Sequence, residues 1–126
     1  MRDIYANIDA VPALVPAVQA AAVQGAAIDQ KDKGGVAFLV TTGAIVGSGD
    51  FGVTLQESDT GTSAWTAVAA DQIDTNAPAT LTPDSTYRLG YRGWKRYVRL
   101  SLTKAGGTSV AAGATAIFVP LTRPAP

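Results

Sequence analysis

From Gly34 onward, apolar and polar positions fall into short runs separated by turn-forming residues, and the runs carry the period of a strand rather than of a helix. "GVAFLVTTG" (35–43) is a β-branched and aromatic run bounded by glycine. "FGVTLQESD" (51–59) sets Phe51, Val53, Leu55 and Glu57 against Gly52, Thr54, Gln56 and Ser58, one face for a core and one for solvent. In "SDTGTSAW" (58–65), Asp59, Gly61 and the hydroxyl residues supply the side-chain-to-backbone bonds and positive φ of a hairpin, after which "AWTAVAA" (64–70) returns as a strand. "DTNAPATLTPDST" (74–86) reads as a surface loop and "GYRGW" (90–94) as a tight connection. "RYVRLSLT" (96–103) then puts Val98, Leu100 and Leu102 on one face and Tyr97, Arg99, Ser101 and Thr103 on the other, and "KAGG" leads into a last strand at 109–121. Roughly six or seven strands at this spacing predict an all-β, antiparallel β-sandwich or barrel.

The first 28 residues have neither period. Ile4, Tyr5, Ile8, Val11, Leu14, Val15 and Val18 are apolar, but Pro12 and Pro16 bias the residues before them to extended or turn conformations. The pattern predicts an extended N-terminal arm (1–28) ahead of a sandwich domain (29–126), with the prolines keeping the arm out of the strand ladder. Its apolar groups, Ile4, Tyr5, Ile8, Val11, Leu14 and Val15 foremost, require burial against a neighbour or along the sandwich. The one helix candidate, Ala17 to Val23, is too short to stand alone in water. A secretory signal is not expected, since the prolines interrupt the apolar section and Asp3 and Asp9 sit where such a signal is positive. Nor is there an uninterrupted apolar run of about 18 residues to span a membrane as a helix.

Composition narrows the chemistry. The 126 residues fit one domain, and thirteen Gly, seven Pro and an apolar fraction dominated by Ala and Val favour strands and turns. The chain has no Cys, which excludes disulfides and thiolate metal sites, and no His, which removes the commonest acid-base side chain near neutral pH. Net charge is zero, yet segregated: residues 1–87 hold ten acids and three bases, net −7, while residues 88–126 hold seven bases and no acid, net +7. The two parts either interleave in a two-layer fold or serve contacts between subunits of opposite sign.

Candidate sites are few. Glu57 and Asp59 stand two apart with no third carboxylate nearby, short of the oxygen cluster that a calcium loop needs, and the glycine pairs lack the following Lys-Ser/Thr of a phosphate loop. Neither catalytic, metal nor cofactor-binding residues are assigned, and an enzyme is not expected. "LGYRGWKRYVRLSL" (89–102) carries four basic and three aromatic side chains, the raw material of a single-strand nucleic-acid surface, but zero overall charge argues against a dedicated binder. Tyr91, Arg92, Trp94 and Lys95 are candidate rim contacts, where rings could stack on a sugar; the simpler expectation is that Trp94 packs over one end of the core.

The order "AIDQKDKGGVAFLVTTG", "VTLQESDTGTSAWTAV", "YRLGYRGWKRYVRLSLT" and "AIFVPLTRPAP" resembles the small head proteins of tailed bacteriophages, across residues 28–126, most specifically in "LQESD" and "GYRGWKRYVR". The resemblance implies a jelly-roll-like sandwich, commonly trimeric, that binds the outside of a capsid shell and decorates or cements it. Its partner would be the major capsid protein, its location the virion surface after synthesis in the host cytoplasm, and its arm would reach onto capsid protein or a sister subunit. Two other classes share these features: a head-tail connector or tail component, and a head-fibre base or glycan-binding module using Trp94 and Tyr91.

Overall fold

In the computed structural model, which describes residues 4–31 and 33–120, alternating apolar positions assemble ten strands, among the described residues, into two antiparallel sheets packed face to face. The strands are β1 (Asp9–Gln19), β2 (Val23–Gln24), β3 (Ile28–Asp29), β4 (Lys33–Val46), β5 (Asp50–Ser58), β6 (Thr66–Ala67), β7 (Ile73–Thr75), β8 (Thr86–Tyr91), β9 (Tyr97–Gly106) and β10 (Ser109–Pro120). One sheet has the order β1-β10-β4-β8-β7; the other runs β2-β9-β5-β6, with β3 also paired to β9. This is the expected all-β sandwich.

The inner faces interlock as the period of two dictates. Phe38 and Val40 of β4, Leu55 of β5, Val98 and Leu100 of β9 and Ala116 of β10 are fully buried, each large side chain removing apolar surface worth about 1.5–3 kcal/mol. The inward set Val98, Leu100 and Leu102 is as the pattern predicts, but Ser101, expected to face solvent, is buried, because β2 pairs with β9 beside it through Gln24. Two of the places where the chain changes sheet, from β4 to β5 and from β9 to β10, lie at one end of the sandwich. The first crossing bends at Gly47 and Ser48 and the second at Gly107, all with positive φ. The two crossings touch: a Cβ on Gly107 would lie 2.3 Å from the Ser48 carbonyl oxygen, so only glycine fits.

Four expectations are corrected. Pro12 and Pro16 do not keep their stretch out of the ladder: residues 9–19 are β1, paired to β10, and Ala13 and Leu14 are buried in the core. An edge strand needs its hydrogen bonds on one side only, and bulges accommodate proline; both apply here, with register shifts on either side of Leu14. Pro16 lies so close against β10 that a Cβ on Gly113 would come within 2.7 Å of its ring. Ala17 to Val23 forms no helix, being split between the end of β1 and the start of β2. The strand expected at 64–70 shrinks to β6 and a 3₁₀ turn at Ala70–Gln72. Finally, β8 was not anticipated, although Tyr87, Leu89 and Tyr91 alternate inward along it. Leu121, the last residue of the expected final strand, lies outside the described residues.

Candidate functional site

Two surfaces stand out, one polar and aromatic, one apolar. The first is the connection from β8 to β9, where the sequence places Tyr91, Arg92, Trp94 and Lys95. Tyr91 ends β8 with its ring inward, 8% exposed, and its hydroxyl donates to Glu57 Oε1 at 2.6 Å. Burial, and then the Glu57 carboxylate, push the phenol well above its ordinary range, so it stays a donor. The same oxygen accepts the Lys95 backbone N–H at 3.1 Å. Arg92 is tied by its backbone N–H to the Gln72 carbonyl, by its guanidinium to the Asp71 carbonyl, and by an ion pair to Asp74 at 3.1 Å.

On the far side of the loop, Lys95 Nζ meets Asp59 at 2.9 Å, which raises the lysine pKa. The Lys95 carbonyl accepts from Gln30 Nε2, and Arg96 grips Asp29 through two N–H groups at 2.9 and 2.8 Å. That fork holds the Asp29 carboxyl at about 2, below its ordinary 3.8, helped by the Lys31 backbone N–H. Gly93 sits against the Tyr91 ring, where a Cβ would fall 2.4 Å from the hydroxyl. Trp94 lies between these anchored neighbours and is 80% exposed. The expectation that it packs over the end of the core is therefore overturned: Tyr91 fills that place. Trp94, Lys95 and Arg96, with Gln30, Lys31 and Lys33, line an open cleft of about 420 Å³.

The second surface is the outer face of the β1 sheet. Leu39 and Gly43 of β4, Ala111 and Gly113 of β10, and Pro12, Pro16 and Val18 of β1 floor and wall a trough of about 680 Å³. Small residues on the two central strands make it concave, and β1 raises one side. Val18 on that wall is 71% exposed; Val15, equally exposed, lines a separate cleft of about 400 Å³ with Leu14, Val23 and Gly25. Of the arm residues singled out in the sequence, Ile4 and Tyr5 are exposed on and beside a 3₁₀ turn (Tyr5–Asn7), Ile8 and Val11 are half-buried, and Leu14 is buried in this chain's own core. Leu14 is thereby removed from the set available to a partner. The trough was not anticipated, because the pairing of β1 with β10 that builds it is a long-range contact with no local signal.

The segregated charge is partly neutralised within the molecule. Asp29–Arg96, Asp59–Lys95 and Asp74–Arg92 each join the acidic part of the chain to the basic part. On the outer face of the other sheet, Arg99 lies 4.2 Å over the Trp65 ring and donates to Gln56 Oε1 at 2.7 Å, so one of the basic side chains that suggested a nucleic-acid surface is engaged within the molecule. No group of three metal-ligating side chains occurs among the described residues, and no helix there is long and apolar enough to cross a membrane. Comparison with protein-family models, with curated proteins and with solved structures finds no match.

Proposed function

We propose that the protein is a structural component of a virus particle, a β-sandwich that binds the outside of a phage capsid shell and stabilises it as a decoration or cement protein, acting as a homotrimer. The observation that carries this reading is the exposed apolar surface along β1: Val15 and Val18 expose large side chains, Val18 on the wall of a trough of small residues. Exposed apolar groups clustered on a rigid sheet favour association. The resemblance of "LQESD" and "GYRGWKRYVR" to phage head proteins supplies the kind of partner, the major capsid protein.

The test is co-sedimentation of the full chain with empty shells assembled from the cognate major capsid protein, together with the melting temperature of those shells. Saturable binding and a raised shell melting temperature are expected, both lost in Val15→Asp/Val18→Asp while the variant's own unfolding is unchanged. Failure of the unaltered protein to bind shells overturns the reading. Sedimentation equilibrium of the free protein measures the subunit number.

A further inference from the structure

We propose that the loop joining β8 to β9 is a saccharide-binding site in which Trp94 stacks on a sugar ring while Gln30 and Lys31 bond its hydroxyls. The argument begins with the contrast between Trp94 and its neighbours. A large ring left 80% exposed on an otherwise well-packed domain is costly in solvent, and a mobile loop would let it fold back. This loop is anchored on both sides instead. Arg92 is bonded to the carbonyls of Gln72 and Asp71, and the Lys95 N–H to the buried Tyr91 hydroxyl. Gly93 is pressed against the Tyr91 ring where no side chain fits, and Arg96 is forked onto Asp29. These contacts fix the backbone to either side of Trp94 and hold the indole at the mouth of the cleft, so its presentation costs little ordering entropy when a ligand arrives.

The surroundings select the ligand class. The cleft is open and shallow, with one exposed ring and a polar border, which suits a ligand that is apolar on one face and hydroxylated at its edges. A pyranose has that form: its C–H face packs on an aromatic ring and its hydroxyls both donate and accept. The border supplies both partners. Gln30 uses its amide nitrogen on the Lys95 carbonyl, leaving Oε1 as an acceptor with no partner among the described residues, and Lys31 offers an ammonium that forms no ion pair among them. Lys33 and Lys95 are already paired to Asp9 and Asp59, and Arg96 to Asp29, so the cleft is not a strong anion trap, which disfavours a nucleic-acid backbone. This surface is distinct from the β1 face on which shell docking rests, so each can stand or fall alone.

The experiment applies the full-length protein to a printed array of short neutral and uronic-acid-containing oligosaccharides, followed by titration of the best binder with tryptophan fluorescence as the readout. A Trp65→Phe background removes the second indole and keeps a ring under Arg99. Saturable binding with a fluorescence change is expected; Trp94→Ala should weaken it by about tenfold or more, Trp94→Tyr by less, and Gln30→Ala measurably. Thermal unfolding of Trp94→Ala should match the parent, since the ring buries little. Two results overturn the site: no binding to any saccharide on the array, or binding that Trp94→Ala leaves intact. If Trp94→Ala abolishes shell co-sedimentation while no sugar binds, the ring is a protein contact and the saccharide proposal falls.

Discussion

Neighbouring residues on β9 make opposite demands on their surroundings. Leu100 is fully buried between the sheets, whereas Arg99 points outward onto Trp65 and Gln56. Leu100→Ala should therefore cost about 2–5 kcal/mol, because a core closed by two hydrogen-bonded sheets cannot collapse around the gap. Arg99→Ala loses a half-exposed cation–π contact and one hydrogen bond, about 1 kcal/mol. Urea unfolding of both variants checks the order; an Arg99 defect equal to that of Leu100 would contradict the placement. Asp29 gives a pH signature. Its folded-state pKa, about 2, lies below the ordinary 3.8, so the unfolded chain binds the proton more tightly. The stabilisation is complete above about pH 4, falls as the pH drops toward 2, and is gone below it. With 43% of its side chain exposed, the pair is screened and contributes about 0–1 kcal/mol. Melting temperatures of the parent and Asp29→Asn should differ slightly above pH 4 and converge near pH 2.

Among the elements, β1 decides how the N-terminal stretch behaves. It covers the side of β10, and Leu14 and Ala13 fill core space, Ala13 also accepting the Ala26 N–H at 2.8 Å. Deleting residues 2–20 should lower stability by more than the roughly 2–5 kcal/mol of a lost core leucine, enough to unfold much of a domain whose total is about 5–15 kcal/mol. Circular dichroism and thermal unfolding measure this; a deletion that kept the native melting temperature would show that β1 is dispensable. Proline breaks a strand at a cost that depends on whether the strand is central or at an edge, and for Pro12 and Pro16 that is set by the distant β10. Strands β4, β5, β9 and β10 are legible because apolar side chains recur at every second position over part of each, as Val98, Leu100 and Leu102 do. β8 has the same alternation in Tyr87, Leu89 and Tyr91, but Gly90 and the adjacent Gly93 were read as turn residues. At the candidate site, Tyr91, Arg92, Trp94 and Lys95 were found by composition. Which of them is buried was not legible, since the Tyr91 partner, Glu57, comes from β5 in the opposite sheet.

For the whole molecule, the distribution of charge determines what kind of surface is left for a partner. The chain is divided into parts of net −7 and +7, and folding brings them together: three of the ion pairs join one part to the other, with Arg96, Lys95 and Arg92 each on an aspartate from the acidic part. Three of the seven bases of this segment thus lie against counter-charges, which weakens a field of one sign that could steer a shell or a polyanion. The largest exposed apolar side chains of β1, Val15 and Val18, and the trough of the outer sheet face offer a partner surface without charge. The proposed docking on a capsid shell should accordingly resist salt, because screening shortens from about 10 Å at 0.1 M to about 3 Å at 1 M without weakening apolar burial. Co-sedimentation at low and high sodium chloride measures it directly. The dissociation constant is expected to change by less than about threefold between roughly 0.05 and 0.5 M, whereas a contact made through charges should weaken by about tenfold or more. Sodium sulfate, which strengthens apolar burial by its exclusion from protein surface, should tighten the complex. Loss of binding at high sodium chloride would instead mean that the contact is made by charged side chains, and would move the docking surface away from β1.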